Sequence, residues 1–131
     1  MAVQDPISNF LTILRNAYSS KKDKITLSSS KLLESICLIL KTENYIQDFK
    51  VVDEKGKKIL RVHLKYKGQT PAVKFLGRVS KPGLRKYVSS KEIPITLGGM
   101  GMSVLSTSKG LISDKTARDS KIGGELLFRI W

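Results

Sequence analysis

Apolar positions along this chain recur first at helical spacing and later by strict alternation. Ile7, Phe10, Leu11, Leu14 and Tyr18 form one helical stripe, with Asp5 placed to cap it and Pro6 suited to the first turn. Arg15, Asn16 and Ser19 fall off that stripe. The charged run Lys21-Lys22-Asp23-Lys24 breaks the pattern and leads into a short strand, Ile25-Thr26-Leu27. Ser28-Ser29-Ser30 then supplies the cap of a second helix with the stripe Leu33, Ile36, Cys37 and Leu40, and Glu34 suits the dipole of its first turn. That helix ends near Asn44. Residues 45–52 read as a strand and 53–58 as a turn. In the return strand Leu60, Val62, Leu64 and Tyr66 occupy one face, and Ile59, Arg61, His63 and Lys65 the other.

The second half has shorter strands and glycine-rich turns. Residues 73–79 and 84–88 read as strands around the turn Ser80-Lys81-Pro82-Gly83. Residues 89–101 are irregular, with room for one short helical turn. Val104-Leu105 and Leu111-Ile112 enclose the polar break Ser106-Thr107-Ser108-Lys109-Gly110. Asp114 can cap a short helix over 115–120, Gly123-Gly124 ends it, and Leu126, Phe128 and Ile130 alternate in a last strand. The pattern predicts an α+β chain of two small, tightly packed lobes. Residues 1–70 form an N-terminal lobe of two helices and a three-stranded sheet. Residues 71–131 form a mostly β lobe with a short helix.

Charge narrows the function. The chain has 131 residues and carries 24 Lys and Arg against 11 Asp and Glu, a net +13. A surplus of that size points to a polyanionic partner, with nucleic acid ahead of a membrane surface. No apolar run approaches the ~20 residues of a transmembrane helix. The opening Met1-Ala2-Val3-Gln4-Asp5-Pro6 lacks the pattern of a signal peptide, and the single cysteine, Cys37, suits a reducing compartment. A cytoplasmic location is expected.

Catalytic chemistry finds little material. His63, the one histidine, has no evident nucleophile or orienting partner, and a lone His with a lone Cys cannot hold a structural zinc. No metal, cofactor or small-molecule substrate is expected. Gly98-Gly99-Met100-Gly101 departs from the dinucleotide fingerprint, with Val104 where a third glycine belongs, and reads as a bend. The cations cluster. Arg78, Lys81, Arg85, Lys86 and Lys91 surround one turn with Tyr87 among them, whose ring either stacks on a base or packs into the core. Lys55, Lys57 and Lys58 form a second patch, either solvated or bound to phosphate. On local sequence the Ser106–Gly110 break suits an ordinary turn first, and close contact with phosphate, sugar and base edges second. Zinc-finger, leucine-zipper and helix-turn-helix signatures are absent, which favours a structured RNA read by shape.

Residues 105–112, followed by Asp114 and Ala117-Arg118, resemble the signature of the bacterial small-subunit ribosomal protein eight family. Gln4-Asp5-Pro6-Ile7 with Arg15-Asn16, Ser29-Ser30-Lys31-Leu32, the run from Arg78 to Arg85, and Gly123-Gly124-Glu125-Leu126 resemble its other landmarks. The resemblance implies a structural, non-enzymatic protein that binds the central domain of small-subunit rRNA and helps organise the platform, beside neighbouring ribosomal proteins. In many bacteria the family also represses its own operon by binding a similar messenger RNA. Carried over, Ser106, Thr107 and Ser108 contact bases and sugars, Lys109 favours phosphate, and Gly110 permits close approach. Tyr87 matches the family's aromatic, and Glu125 a glutamate that orients the loop hydroxyls. Residues 53–70 differ most from the family, so the transfer is weakest at Lys55, Lys57 and Lys58.

Overall fold

A computed structural model describes residues 5–131. Residues 1–4, which carry most of the signal-peptide reading and Gln4 of the opening motif, lie outside the described residues. The chain is α+β and divides into two compact units, residues 9–73 and residues 74–131 with the N-terminal stretch through Ser8.

Helix α1 (Pro6–Ser19) starts where expected, because the Asp5 carboxylate accepts the Ser8 N–H at 3.2 Å and the Ser8 hydroxyl at 2.6 Å. In the unit of residues 9–73 it is followed by β1 (Lys24–Ser28), α2 (Lys31–Thr42), β2 (Ile46–Glu54) and β3 (Lys57–Leu64). Ser30 caps α2 by accepting the Leu33 N–H, and Leu33, Ile36, Cys37 and Leu40 are all buried. The strands form an antiparallel sheet in the order β1-β3-β2, with α2 packed on β2. Leu60, Val62 and Leu64 are buried on one face of β3, as their alternation requires. Burial pushes the Cys37 thiol up to about 12, with the nearby Glu34 charge adding to it, so Cys37 packs as a small hydrophobe.

Two boundaries in this unit differ from expectation. The turn between β2 and β3 is only Lys55-Gly56, both at positive φ (52° and 79°). Asp53 pairs with Lys58 and Glu54 with Lys57 inside the ladder. The return strand also stops at Leu64, short of Tyr66. The Lys65 N–H goes instead to the Tyr18 hydroxyl at 3.1 Å, which itself donates to the Tyr45 carbonyl at 2.6 Å. Tyr66 moves into a separate two-stranded hairpin, β4 (Tyr66–Lys67) with β5 (Thr70–Pro71).

The other unit contains β6 (Leu76–Arg78), β7 (Tyr87–Val88), a 3-10 turn (Thr96–Gly99), β8 (Met102–Thr107), β9 (Gly110–Ser113), α3 (Asp114–Asp119) and β10 (Gly124–Ile130). Its sheet runs β6-β10-β8-β9, and β7 joins the same edge of β10 as β6, further toward the start of β10. The strands expected over 73–79 and 84–88 shrink to these short pairs because residues 81–85 swing away from β10 between Ser80 and Lys86, which both bond Leu126. The cap of α3 is Ser113, not Asp114: Ser113 is extended and accepts the Thr116 N–H, while Asp114 opens the helix and pairs with Arg118 at 2.9 Å. A bulge at Leu127 overturns the simple alternation in β10. Leu126 pairs with Leu105 but Phe128 with Val104, so the two point to opposite faces and all three residues are buried. On one face Ile93, Leu105, Ala117 and Leu126 form the core cluster, flanked by Val79, Val88 and Ile112.

Candidate nucleic-acid interface

The register of the second sheet aligns three of the sequence-predicted site residues in one row. Tyr87 of β7 lies opposite Glu125 of β10, and Glu125 lies opposite Ser106 of β8. Directly opposed residues of antiparallel strands share a face, with Cβ atoms about 5 Å apart at each step. Their neighbours Leu105 and Leu126 point the other way, into the core cluster. The row therefore carries a ring, a carboxylate and a hydroxyl on one face. Tyr87 is 71% exposed, which rules out the core-packing alternative for its ring.

The row can form because two glycines precede it. A Cβ on Gly124 would overlap the Ser106 carbonyl oxygen, and one on Gly123 the Val88 carbonyl oxygen. Only residues without side chains let β10 sit this close to both neighbours.

The Ser106-Thr107-Ser108 stretch is less of a loop than its composition suggests. Ser106 and Thr107 are strand residues, and the turn proper is Ser108-Lys109, since Thr107 pairs with Gly110. The three hydroxyls are also not equivalent. Thr107 donates to the Gly110 carbonyl at 2.8 Å and accepts the Lys109 N–H at 3.1 Å. Thr107 is thus spent on the turn, while the hydroxyls of Ser106 and Ser108 have no partner among the described residues. Gly110 sits at φ +97°, and open space surrounds the place a Cβ would take. Its backbone conformation needs glycine, and its surroundings leave room for a ligand.

The basic turn stands beside the row. Lys81 and Leu84 exchange backbone hydrogen bonds of 3.0 and 2.9 Å around Pro82-Gly83. Lys81, Arg85 and Lys86 are exposed, as is Lys109 on the neighbouring hairpin. Lys81, Lys86 and Lys109 carry no ion pair among the described residues. Arg85 donates to the Glu125 carboxylate at 2.9 Å.

Arg78 does not belong with them, contrary to the sequence reading. Its side chain is 9% exposed and its guanidinium donates to both Asp5 oxygens and, at 2.8 Å, to the Leu127 carbonyl at the bulge. Proximity in sequence to a basic turn put it in the cluster; folding turns it inward.

Glu125 orients a hydroxyl, though not one on the Ser106–Ser108 stretch. Its carboxylate accepts from the fully buried Ser80 as well as from Arg85. Burial pushes the Glu125 carboxyl up, but those two hydrogen bonds and the charges of Arg85 and Arg78 outweigh it and hold the group below its ordinary value. Ser80 also accepts the Lys86 N–H at 3.1 Å. Sequence reasoning missed Ser80, which looks like one more small residue of a turn. Its partner lies 45 residues away, and no local signal announces the pair.

The second patch sits in the unit of residues 9–73. Lys55 is in the β2–β3 turn, while Lys57 and Lys58 are exposed strand residues opposed by Glu54 and Asp53. Those acids offset part of the positive charge the lysines would otherwise offer. His63 is half-buried in β3, and no cluster able to hold a metal occurs among the described residues.

Residues 5–131 match the family model described as Ribosomal protein S8. Curated relatives carry the name small ribosomal subunit protein uS8. The chain is 47% identical to that of Halothermothrix orenii over the full length of both, and 46% identical to that of Methylobacillus flagellatus over 97% of each. It is 47% identical to that of Dictyoglomus turgidum, again over the full length of both.

Proposed function

The chain belongs to the ribosomal protein S8 family, and on that premise we propose that it binds the central domain of small-subunit rRNA and helps organise the platform during subunit assembly. It is a non-enzymatic component of the small ribosomal subunit, working in the cytoplasm beside other ribosomal proteins. The observation that carries the rRNA reading is the row Tyr87–Glu125–Ser106, flanked by Lys81, Arg85 and Lys86 on one side and Ser108 and Lys109 on the other. A ring for stacking, small hydroxyls for base and sugar edges, and surrounding cations for phosphate suit an irregular RNA helix read by shape.

In this reading residues 71–131 form the RNA-binding lobe. Tyr87 stacks, Ser106 and Ser108 meet base or sugar edges, Thr107 and Gly110 shape the turn, and Lys81, Arg85, Lys86 and Lys109 take phosphates. Lys55, Lys57 and Lys58 add backbone contacts from the other lobe. A messenger RNA that presents the same irregular helix is bound by the same surface, which is the route to repression of the protein's own operon.

Titration of the purified chain with an rRNA central-domain fragment, in the presence of duplex DNA, tests the proposal. The expected result is saturable binding that DNA fails to displace, because a site reading 2′-hydroxyls discriminates against DNA. Equal competition by DNA would reduce the chain to a nonspecific polyanion binder.

A further inference from the structure

A carboxylate is out of place on a surface built to attract phosphate. Charge alone says that Glu125 weakens binding to a polyanion. Yet its side chain is only 16% exposed, at the centre of the row, and one of its oxygens takes hydrogen bonds from both Ser80 and Arg85. Ser80 in turn holds the Lys86 N–H, and the Lys86 carbonyl accepts the Leu126 N–H at 2.9 Å. The Ser80 N–H donates to the Leu126 carbonyl at 3.0 Å. Both ends of the basic turn are thereby pinned to β10 around one acid. Arg85 keeps most of its five N–H donors after pairing and remains 47% exposed, so the pairing fixes its direction without consuming it.

Resting on the rRNA-binding reading above, we propose that Glu125 is a positioning residue: with Ser80 it holds Arg85 and the 81–87 turn in the arrangement that meets RNA. The acid raises affinity for a polyanion because the gain from a preset cation and a rigid turn exceeds the repulsion it adds.

The test compares wild type with Glu125→Gln, Arg85→Gln and the double variant, measuring affinity for the rRNA fragment across a series of salt concentrations. Glu125→Gln is expected to bind about five- to tenfold more weakly, a loss near that of one charge-assisted hydrogen bond discounted for the exposure of Arg85. Its log–log salt slope should become shallower by a little under one, the mark of a lost phosphate contact. In the Arg85→Gln background the same change should cost less than about twofold, because the two residues act as one unit. Ser80→Ala, which strips Glu125 of its second donor, should reproduce the weaker binding.

Glu125→Gln binding as tightly as wild type or more tightly would overturn the proposal, as pure electrostatics predicts that result. Additive costs of Glu125→Gln and Arg85→Gln would also overturn it, by making Glu125 a direct RNA contact. An unchanged salt slope overturns it too, because a merely destabilised fold lowers the active fraction without removing a phosphate contact. A wild-type chain that prefers DNA or fails to bind the fragment defeats the rRNA reading itself, whereas normal wild-type binding with an unaffected Glu125→Gln defeats only this inference.

Discussion

Thr107 and Gly110 close the β8–β9 hairpin on each other, the threonine hydroxyl donating to the glycine carbonyl at 2.8 Å and taking the Lys109 N–H at 3.1 Å. This contact separates the roles of adjacent hydroxyls. Thr107→Ala removes both bonds, so the turn loosens and RNA affinity falls. The fold stays intact and loses at most about 1 kcal/mol, the usual net worth of such bonds at an exposed site. Thr107→Ser keeps the hydroxyl and should stay close to wild type. Ser108→Ala should weaken binding with no change in stability, since that hydroxyl has no internal duty. Filter binding and urea denaturation on the three variants check this; equal RNA affinity for Thr107→Ala, Ser108→Ala and wild type would remove the hairpin from the interface.

Tyr87 offers a cleaner separation of fold from function. With 71% of its surface exposed, its ring contributes little to the core. Tyr87→Ala should therefore leave the melting temperature almost unchanged and cost about 1–3 kcal/mol of RNA binding, the range for one stacked base. Tyr87→Phe keeps the π-face and should retain most of that affinity. A Tyr87→Ala variant with undiminished affinity would mean that the ring stacks on nothing.

Both helical stripes, the buried face of β3 at Leu60, Val62 and Leu64, and the existence of the two hairpins (though not the shortness of their turns) were legible because each rests on periodicity within a dozen residues. The errors share a different origin. Ser113 and Asp114 are both good caps, and only the extended backbone at Ser113 decides between them. The bulge at Leu127 inverts the faces of Phe128 and Ile130 because β8 pairs on either side of it, which no local pattern reveals. The residues of the site were legible as types: hydroxyls, cations and a tyrosine near glycines. Their grouping was not. Arg78 leaves the surface for Asp5, and the buried Ser80 joins the site from beneath through Glu125, each choice fixed by a partner far along the chain.

Gly124 carries the next prediction. A methyl group there would overlap the Ser106 carbonyl oxygen and approach the Thr107 methyl at 3.0 Å, so β8 and β10 must part next to the proposed interface. Gly124→Ala should destabilise the chain by about 2 kcal/mol or more, typical of overpacking against backbone. Gly110→Ala meets no neighbour and should cost about 1 kcal/mol, from its φ of +97° alone. Thermal melts of the two variants should rank in that order; equal melting temperatures would show that the β8–β10 approach is not tight.

Asp5 and Arg78 supply a pH test of the pair that removes Arg78 from the surface. Burial raises the Asp5 carboxyl, but the hydrogen bonds from Ser8 and Arg78 and the Arg78 charge outweigh it, so the group lies below its ordinary 3.8. A carboxylate whose pKa is lower folded than unfolded adds stability at every pH above the unfolded value. That contribution fades as pH falls through the folded value, where both states take up the proton. Asp5→Asn should therefore cost about 2 kcal/mol at neutral pH, the loss of a charge-assisted pair with Arg78 at 3.1 Å. The gap between wild type and variant should narrow from about pH 4 downward. Urea titrations of both proteins over that range measure it directly. A gap that holds constant into acid would mean that the Asp5 charge contributes nothing, and that packing and capping alone explain the cost.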